Sequence, residues 1–87
     1  MEKLRKEIDL IDRQIAELLD RRMRLAYEIG LYKKEKNFSL IHPDREKGIY
    51  EKLSQLDLKT IYPEELREIY HLIIEIGRRY GARALNE

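Results

Sequence analysis

The chain has 87 residues, with 18 Lys and Arg against 17 Asp and Glu, 4 Gly, 2 Pro and no Cys. That length allows a single domain, 1–87. The missing Cys excludes a disulfide framework, a thiolate metal site and a Cys nucleophile, and a net charge of +1 argues against a dedicated nucleic-acid binder. No apolar run approaches the roughly 20 residues of a bilayer span, and the N-terminus MEKLRKEIDL lacks a signal-peptide core, so no membrane association is expected and the expected compartment is the cytosol.

Hydrophobic residues make up 43% of the chain and charged ones 40%, with the two signs evenly mixed, which is the composition of long amphipathic helices rather than of disorder. Few Asn and Gln and many Glu, Lys and Arg also fit a heat-adapted source. From Leu4, apolar residues recur at Ile8, Ile11, Ile15, Leu18, Leu25, Ile29 and Tyr32 in alternating steps of four and three, a heptad seam. No Pro interrupts it before Pro43, so one helix is expected from about 3 to 35. At 1.5 Å per residue it would be about 50 Å long. A compact domain of this size is only about 30 Å across, so much of the helix needs cover from outside its own chain. A second copy related by a two-fold axis is the economical source.

Lys36-Asn37-Phe38-Ser39 breaks the periodicity and reads as a loop. His42-Pro43-Asp44 reads as a helix start, with Pro at the first position and acids in the first turn, and Ile49, Tyr50, Leu53 and Leu56 carry a short helix over about 43–55. A second loop, Asp57-Leu58-Lys59-Thr60, leads to another Pro-first start at Tyr62-Pro63-Glu64-Glu65. Leu66, Ile69, Tyr70, Ile73, Ile76, Gly77 and Tyr80 continue a third helix over about 63–84. The expected class is all-α, with three helices per chain, a long first helix and a helical homodimer.

Position 22 is where the first seam wants an apolar residue, and it holds Arg22. A buried arginine is costly unless it is paired or meets a ligand. It can snorkel to solvent, pair with an acid such as Glu46 or Glu75, set the dimer register, or bind an anion. Lys33 lies 11 residues on, close to three turns, so both side chains point the same way from sites about 16 Å apart. Leaning together, they could grip one small anion. Lys33 also suits the negative end of the helix dipole without any ligand. Arg5 sits beside the seam about 25 Å from Arg22, beyond the reach of one small ligand within one chain. If two first helices pack antiparallel around a two-fold axis, Arg5 of one chain approaches the middle of the other. Glu46 precedes Tyr50 and Leu53 at helical spacing and faces inward, with Arg45 beside it. An inward carboxylate among inward cations makes a polar pocket. His42 and His71 lack metal-ligand spacing, so no metal is expected, and no Ser or Thr has a paired His and acid.

The stretches Leu4-Arg5-Lys6-Glu7-Ile8-Asp9-Leu10-Ile11-Asp12, Leu18-Leu19-Asp20-Arg21-Arg22-Met23-Arg24-Leu25-Ala26 and Glu28-Ile29-Gly30-Leu31-Tyr32-Lys33 resemble the first helix of the all-helical chorismate mutases. Ile41-His42-Pro43-Asp44-Arg45-Glu46-Lys47 looks like that family's second-helix start, and Leu72-Ile73-Ile74-Glu75 like its third helix. The resemblance implies an intertwined homodimer with two equivalent sites. It also implies an isomerase that rearranges chorismate to prephenate, toward phenylalanine and tyrosine, without metal or organic cofactor. It implies that Arg22 and the partner chain's Arg5 clamp substrate carboxylates and that Lys33 binds near the ether oxygen and a carboxylate. Glu46 would accept a hydrogen bond from the substrate hydroxyl, Arg45 would help to fix the pocket, and His42 would lie near that hydroxyl. Lys33, Arg22 and Glu46 are then the expected catalytic residues. One place departs from the family pattern: the third-helix Gln or Glu that meets the ether oxygen falls here at Gly81. The Gly-Arg-Arg-Tyr-Gly ending resembles short mutases that lack this Gln and gain activity by docking onto DAHP synthase, the first enzyme of the aromatic pathway. A weakly active mutase whose segment 77–87 is ordered by such a partner, a regulatory helical module without turnover, and an isochorismate-pyruvate lyase on the same scaffold are the alternative expectations.

Overall fold

The structure, a computed structural model, describes residues 1–36 and 42–86. The described residues form three helices and no strand: α1 (Glu2–Lys36), α2 (Pro43–Ser54) and α3 (Pro63–Leu85). Each boundary follows from local chemistry. α1 carries Glu2 in its first turn and Lys33, Lys34 and Lys36 in its last, charges that complement the helix dipole. α2 and α3 both begin with Pro at the first position, where the missing N–H costs nothing. At the start of α3 the Tyr62 N–H donates to Glu65 Oε1 at 3.0 Å, so a first-turn acid satisfies an amide with no intrahelical acceptor. The expected first loop is displaced by one residue at its start, since Lys36 closes α1; residues 37–39 of that expectation lie outside the described residues.

α3 packs along α1 and also carries α2, while the α1 and α2 backbones do not approach each other. The long axis of the molecule is 52 Å, the length of α1 itself, and its radius of gyration is 15.7 Å. A compact 87-residue chain would have about 12 Å.

The packing agrees with the expectation that its own chain leaves much of α1 uncovered. The heptad seam of α1 does not meet its own chain: from Leu4 at 59% exposure to Leu25 at 53%, its large apolar residues stand open. α3 instead lies on an adjoining face, where Leu19, Met23, Ala26 and Gly30 are partly or wholly buried. Small residues explain the choice. A Cβ on Gly30 would come within 2.6 Å of the Gly81 carbonyl oxygen and 2.9 Å of the Ala84 Cβ, so the two helices nearly touch backbone to backbone. Gly77, Gly81 and Ala84 are buried in this contact, so the end of α3 through Leu85 packs as helix against α1.

Candidate active site

The cationic residues gather in a cleft lined by all three helices. Arg22 and Lys33 come from α1, with Ala26, Ile29 and Gly30 in the three turns between. His42 at the α2 N-cap and Arg45 and Glu46 in its first turn come from the second side. Gly77, Arg78 and Gly81 of α3 close the third, with Ile49 and Ile74 as apolar wall. The cavity has a volume of about 280 Å³, at the small end for small-molecule sites.

Five of the six residues expected at a site from the sequence therefore line one cavity: Arg22, Lys33, His42, Arg45 and Glu46. Arg5 does not. It lies 17 residues before Arg22 on the same rod, about 25 Å away, on the exposed N-terminal half of α1. The structure adds Arg78, which sits beside Arg79 and carries no periodic signal of its own in the sequence.

Arg78 is the partner of Glu46. Its Nε donates to Glu46 Oε2 at 2.8 Å, and its Nη2 donates to the other carboxylate oxygen, Oε1, in a two-pronged pair that joins α3 to α2 across 32 positions. Donating this hydrogen bond to Glu46 raises the Arg78 pKa above its already high ordinary value, so Arg78 is a fixed cation. The pairing of Arg22 with Glu46 or Glu75, open from the sequence, is not formed: Glu46 goes to Arg78 and Glu75 pairs with Arg79 at 3.3 Å. The Arg22 guanidinium lies 5.9 Å from the Tyr70 ring centroid and against Gly77, where a Cβ would stand 3.4 Å from Nη1.

Four cations and one carboxylate line the cavity, a local charge of +3 in a chain of net +1. Among the described residues, Arg22, Lys33 and Arg45 have no acid in ion-pair range. At an effective dielectric of about 20, each such cation attracts a carboxylate 4 Å away by about 4 kcal/mol before desolvation. The arrangement is built for a small organic polyanion. Among the described residues no group of three His, Cys, Asp or Glu side chains converges where it could hold a metal ion, and no helix is long and apolar enough to cross a membrane.

A second, larger hollow of about 740 Å³ lies on the other side of the α1–α3 pair, between Ile15, Ala16, Leu19 and Met23 of α1 and Ile69, Leu72, Ile73, Ile76 and Tyr80 of α3. Its only charged lining residues are Asp20 and Glu68. It suits apolar side chains and repels an anion.

Comparison with known proteins identifies the family and the fold. The family model for chorismate mutase type II matches residues 4–81. A bifunctional chorismate mutase/prephenate dehydratase of Aquifex aeolicus is 41% identical over 85% of this chain, which spans only 22% of that longer protein. A chorismate mutase of Methanocaldococcus jannaschii is 29% identical, with 97% of this chain and 86% of that one covered. Among solved structures, chorismate mutase from Helicobacter pylori in complex with prephenate superposes with a TM-score of 0.90 at 37% identity, over 99% of this chain and 93% of that one.

Proposed function

The chain belongs to the chorismate mutase type II family, and on that premise we propose that the cavity between its three helices rearranges chorismate to prephenate. The observation that carries the reading is the convergence of Arg22, Lys33, Arg45 and Arg78 around a single carboxylate, Glu46, in a cavity sized for a small organic dianion. The rearrangement is unimolecular: one C–O bond breaks as one C–C bond forms, with no proton or group supplied by the protein. Two tasks remain for the enzyme. It holds a flexible dianion in its folded, reactive shape, and it stabilises negative charge that builds on the breaking ether oxygen. Arg22 clamps a carboxylate with its guanidinium fork. Lys33 serves the second carboxylate and the ether oxygen. Glu46 accepts a hydrogen bond from the substrate hydroxyl, with Arg45 and His42 beside it at the mouth.

The working unit in this reading is a homodimer. Residues 1–18 are exposed throughout, and nothing among the described residues covers Leu4, Ile8 and Ile11. If two α1 helices run antiparallel about a two-fold axis near residues 13 and 14, each residue stands level with the one whose number brings the sum to 27. Leu4 then faces the partner's Met23 and Ile8 faces the partner's Leu19, both of which line the 740 Å³ apolar groove. The same register sets Arg5 level with the partner's Arg22. Seating the apolar N-terminal half in the groove and delivering Arg5 to the opposite pocket are one geometric act, which supports both.

A second reading has its own observation. Gly81 lies in the pocket wall and brings no side chain to the ether oxygen. The chain is then a modest mutase that a further aromatic-pathway enzyme, such as DAHP synthase, improves. The Aquifex relative, whose name joins a mutase to a prephenate dehydratase, is consistent with partnership inside that pathway. The enzyme so described works in the cytosol. Steady-state loss of chorismate by the purified chain, with prephenate identified as product, tests the main reading; chorismate binding without turnover would overturn it. Release of pyruvate from isochorismate would favour the lyase, and a rise in kcat/KM on adding the pathway enzyme would favour the assisted mutase.

A further inference from the structure

Glu46 is the one acid among the cations of the pocket, and its position needs an explanation. α2 has 12 residues, none of them buried, and its N-cap His42 makes no side-chain capping bond. It rests on α3 alone. Core packing therefore does little to fix the direction of its first turn. Cations from all three helices share the cavity with Glu46: Arg22 and Lys33 from α1, Arg45 from α2 and Arg78 from α3, with the His42 imidazole nearby. Tyr50 and Glu75 stand close to the Arg78 end of the pair. A carboxylate free to turn there would swing onto Arg22, Lys33 or Arg45 and neutralise a cation meant for the substrate. The structure shows it elsewhere, held at both oxygens by Arg78 with its side chain only 20% exposed.

We infer that Arg78 is a positioning residue for Glu46, a tether that keeps this carboxylate off the substrate-binding cations and turned so that its remaining lone pairs meet the substrate hydroxyl. The inference rests on the mutase reading and on the role of Glu46 in it. Arg78 suits the task because a guanidinium fork fixes both oxygens of a carboxylate, whereas a lysine ammonium is a single mobile point. It projects from the turn between the buried Gly77 and Gly81, a stretch of α3 clamped against α1. The rigid α1–α3 pair thereby dictates the orientation of a group on the loosely held α2.

The test is a double-mutant cycle of Arg78→Ala and Glu46→Gln, with Arg78→Lys as the conservative variant. Prephenate affinity by calorimetry and kcat and KM for chorismate are the readouts. Arg78→Ala leaves Glu46 to compete for the cations, so prephenate affinity falls and KM rises, each about tenfold, with a further loss in kcat. Adding Glu46→Gln removes the competitor, so the double variant regains the affinity and KM of Glu46→Gln alone to within about twofold. Arg78→Lys, which keeps the charge and loses the fork, falls between. If Arg78→Ala costs the same factor in the Glu46→Gln background as in the wild type, the tether is wrong and Arg78 touches the substrate or serves the fold. If Glu46→Gln is itself indistinguishable from the wild type, the role of Glu46 fails first and takes the inference with it. The Arg78 side chain is 45% exposed, so circular dichroism of each variant should overlay on the wild type.

Discussion

Arg22 stands where the first seam asks for an apolar side chain, and it lines the pocket. Its guanidinium meets the face of Tyr70 and the bare backbone of Gly77, and among the described residues it has no acid in ion-pair range. In the proposed reading this cation clamps a carboxylate of the substrate. Arg22→Ala should therefore lower kcat/KM for chorismate by about 10² to 10³, the usual weight of a donor aimed at developing or substrate charge. Arg22→Lys should fall between, because the charge remains and the fork is lost. Initial rates measured beside circular dichroism and gel filtration check both; near-wild-type rates for Arg22→Ala would remove Arg22 from the site. This residue and Lys33 were legible in the sequence because helical geometry converts a spacing of 11 into a shared face. Arg45 and Glu46 were legible from their place in a Pro-first turn. Arg78 was not, since its partner lies 32 positions away and no local period encodes a pairing between two helices.

Glycines divide the elements into positions where a side chain is forbidden and positions where one is merely missing. At Gly30 a Cβ would meet the backbone of Gly81 at 2.6 and 2.8 Å, atoms that move only if α3 moves. Gly30→Ala should destabilise the fold by about 1–3 kcal/mol through overpacking and lower activity as well, because Gly77, Arg78 and Gly81 ride on the displaced helix. At Gly48, inside α2, a Cβ would meet nothing within 4 Å. Gly48→Ala should stabilise by about 0.5–1 kcal/mol by restricting the unfolded chain in a helical position. Urea unfolding at one fixed protein concentration reads both, since a dimer's stability depends on concentration. Equal and same-signed effects would contradict the close approach of α1 and α3. The lengths of the helices could be read from Pro43, Pro63 and the four-three periodicity, and the observed ends agree to within a residue or two. Which face meets which neighbour could not. The conspicuous apolar seam drew attention to the side of α1 that its own chain leaves open, while the true intrachain contact runs through Met23, Ala26 and Gly30, residues too small or too scattered to stand out.

A chain whose radius of gyration is 15.7 Å where about 12 Å would be compact has an unfinished surface. The open seam from Leu4 to Ile29 and the apolar groove between α1 and α3 are both exposed apolar surface, and the proposed two-fold axis would cover both. Sedimentation should accordingly give twice the 10.6 kDa chain mass. The sharper consequence concerns Arg5, because the proposed register completes each pocket with an arginine from the other chain. An Arg5→Ala homodimer lacks that arginine in both sites, and an Arg22→Ala homodimer lacks the clamp in both, so each alone should be nearly inactive. In a mixed dimer the two losses fall in the same site, and the other site is whole. Random re-association of equal amounts makes half of the dimers mixed, and half of their sites intact, so activity should recover to about a quarter of the wild type. Recovery must follow subunit exchange, and cross-linking the homodimers before mixing should abolish it. If mixed dimers form and no activity returns, Arg5 does not act across the interface, and the antiparallel register about residues 13 and 14 fails with it.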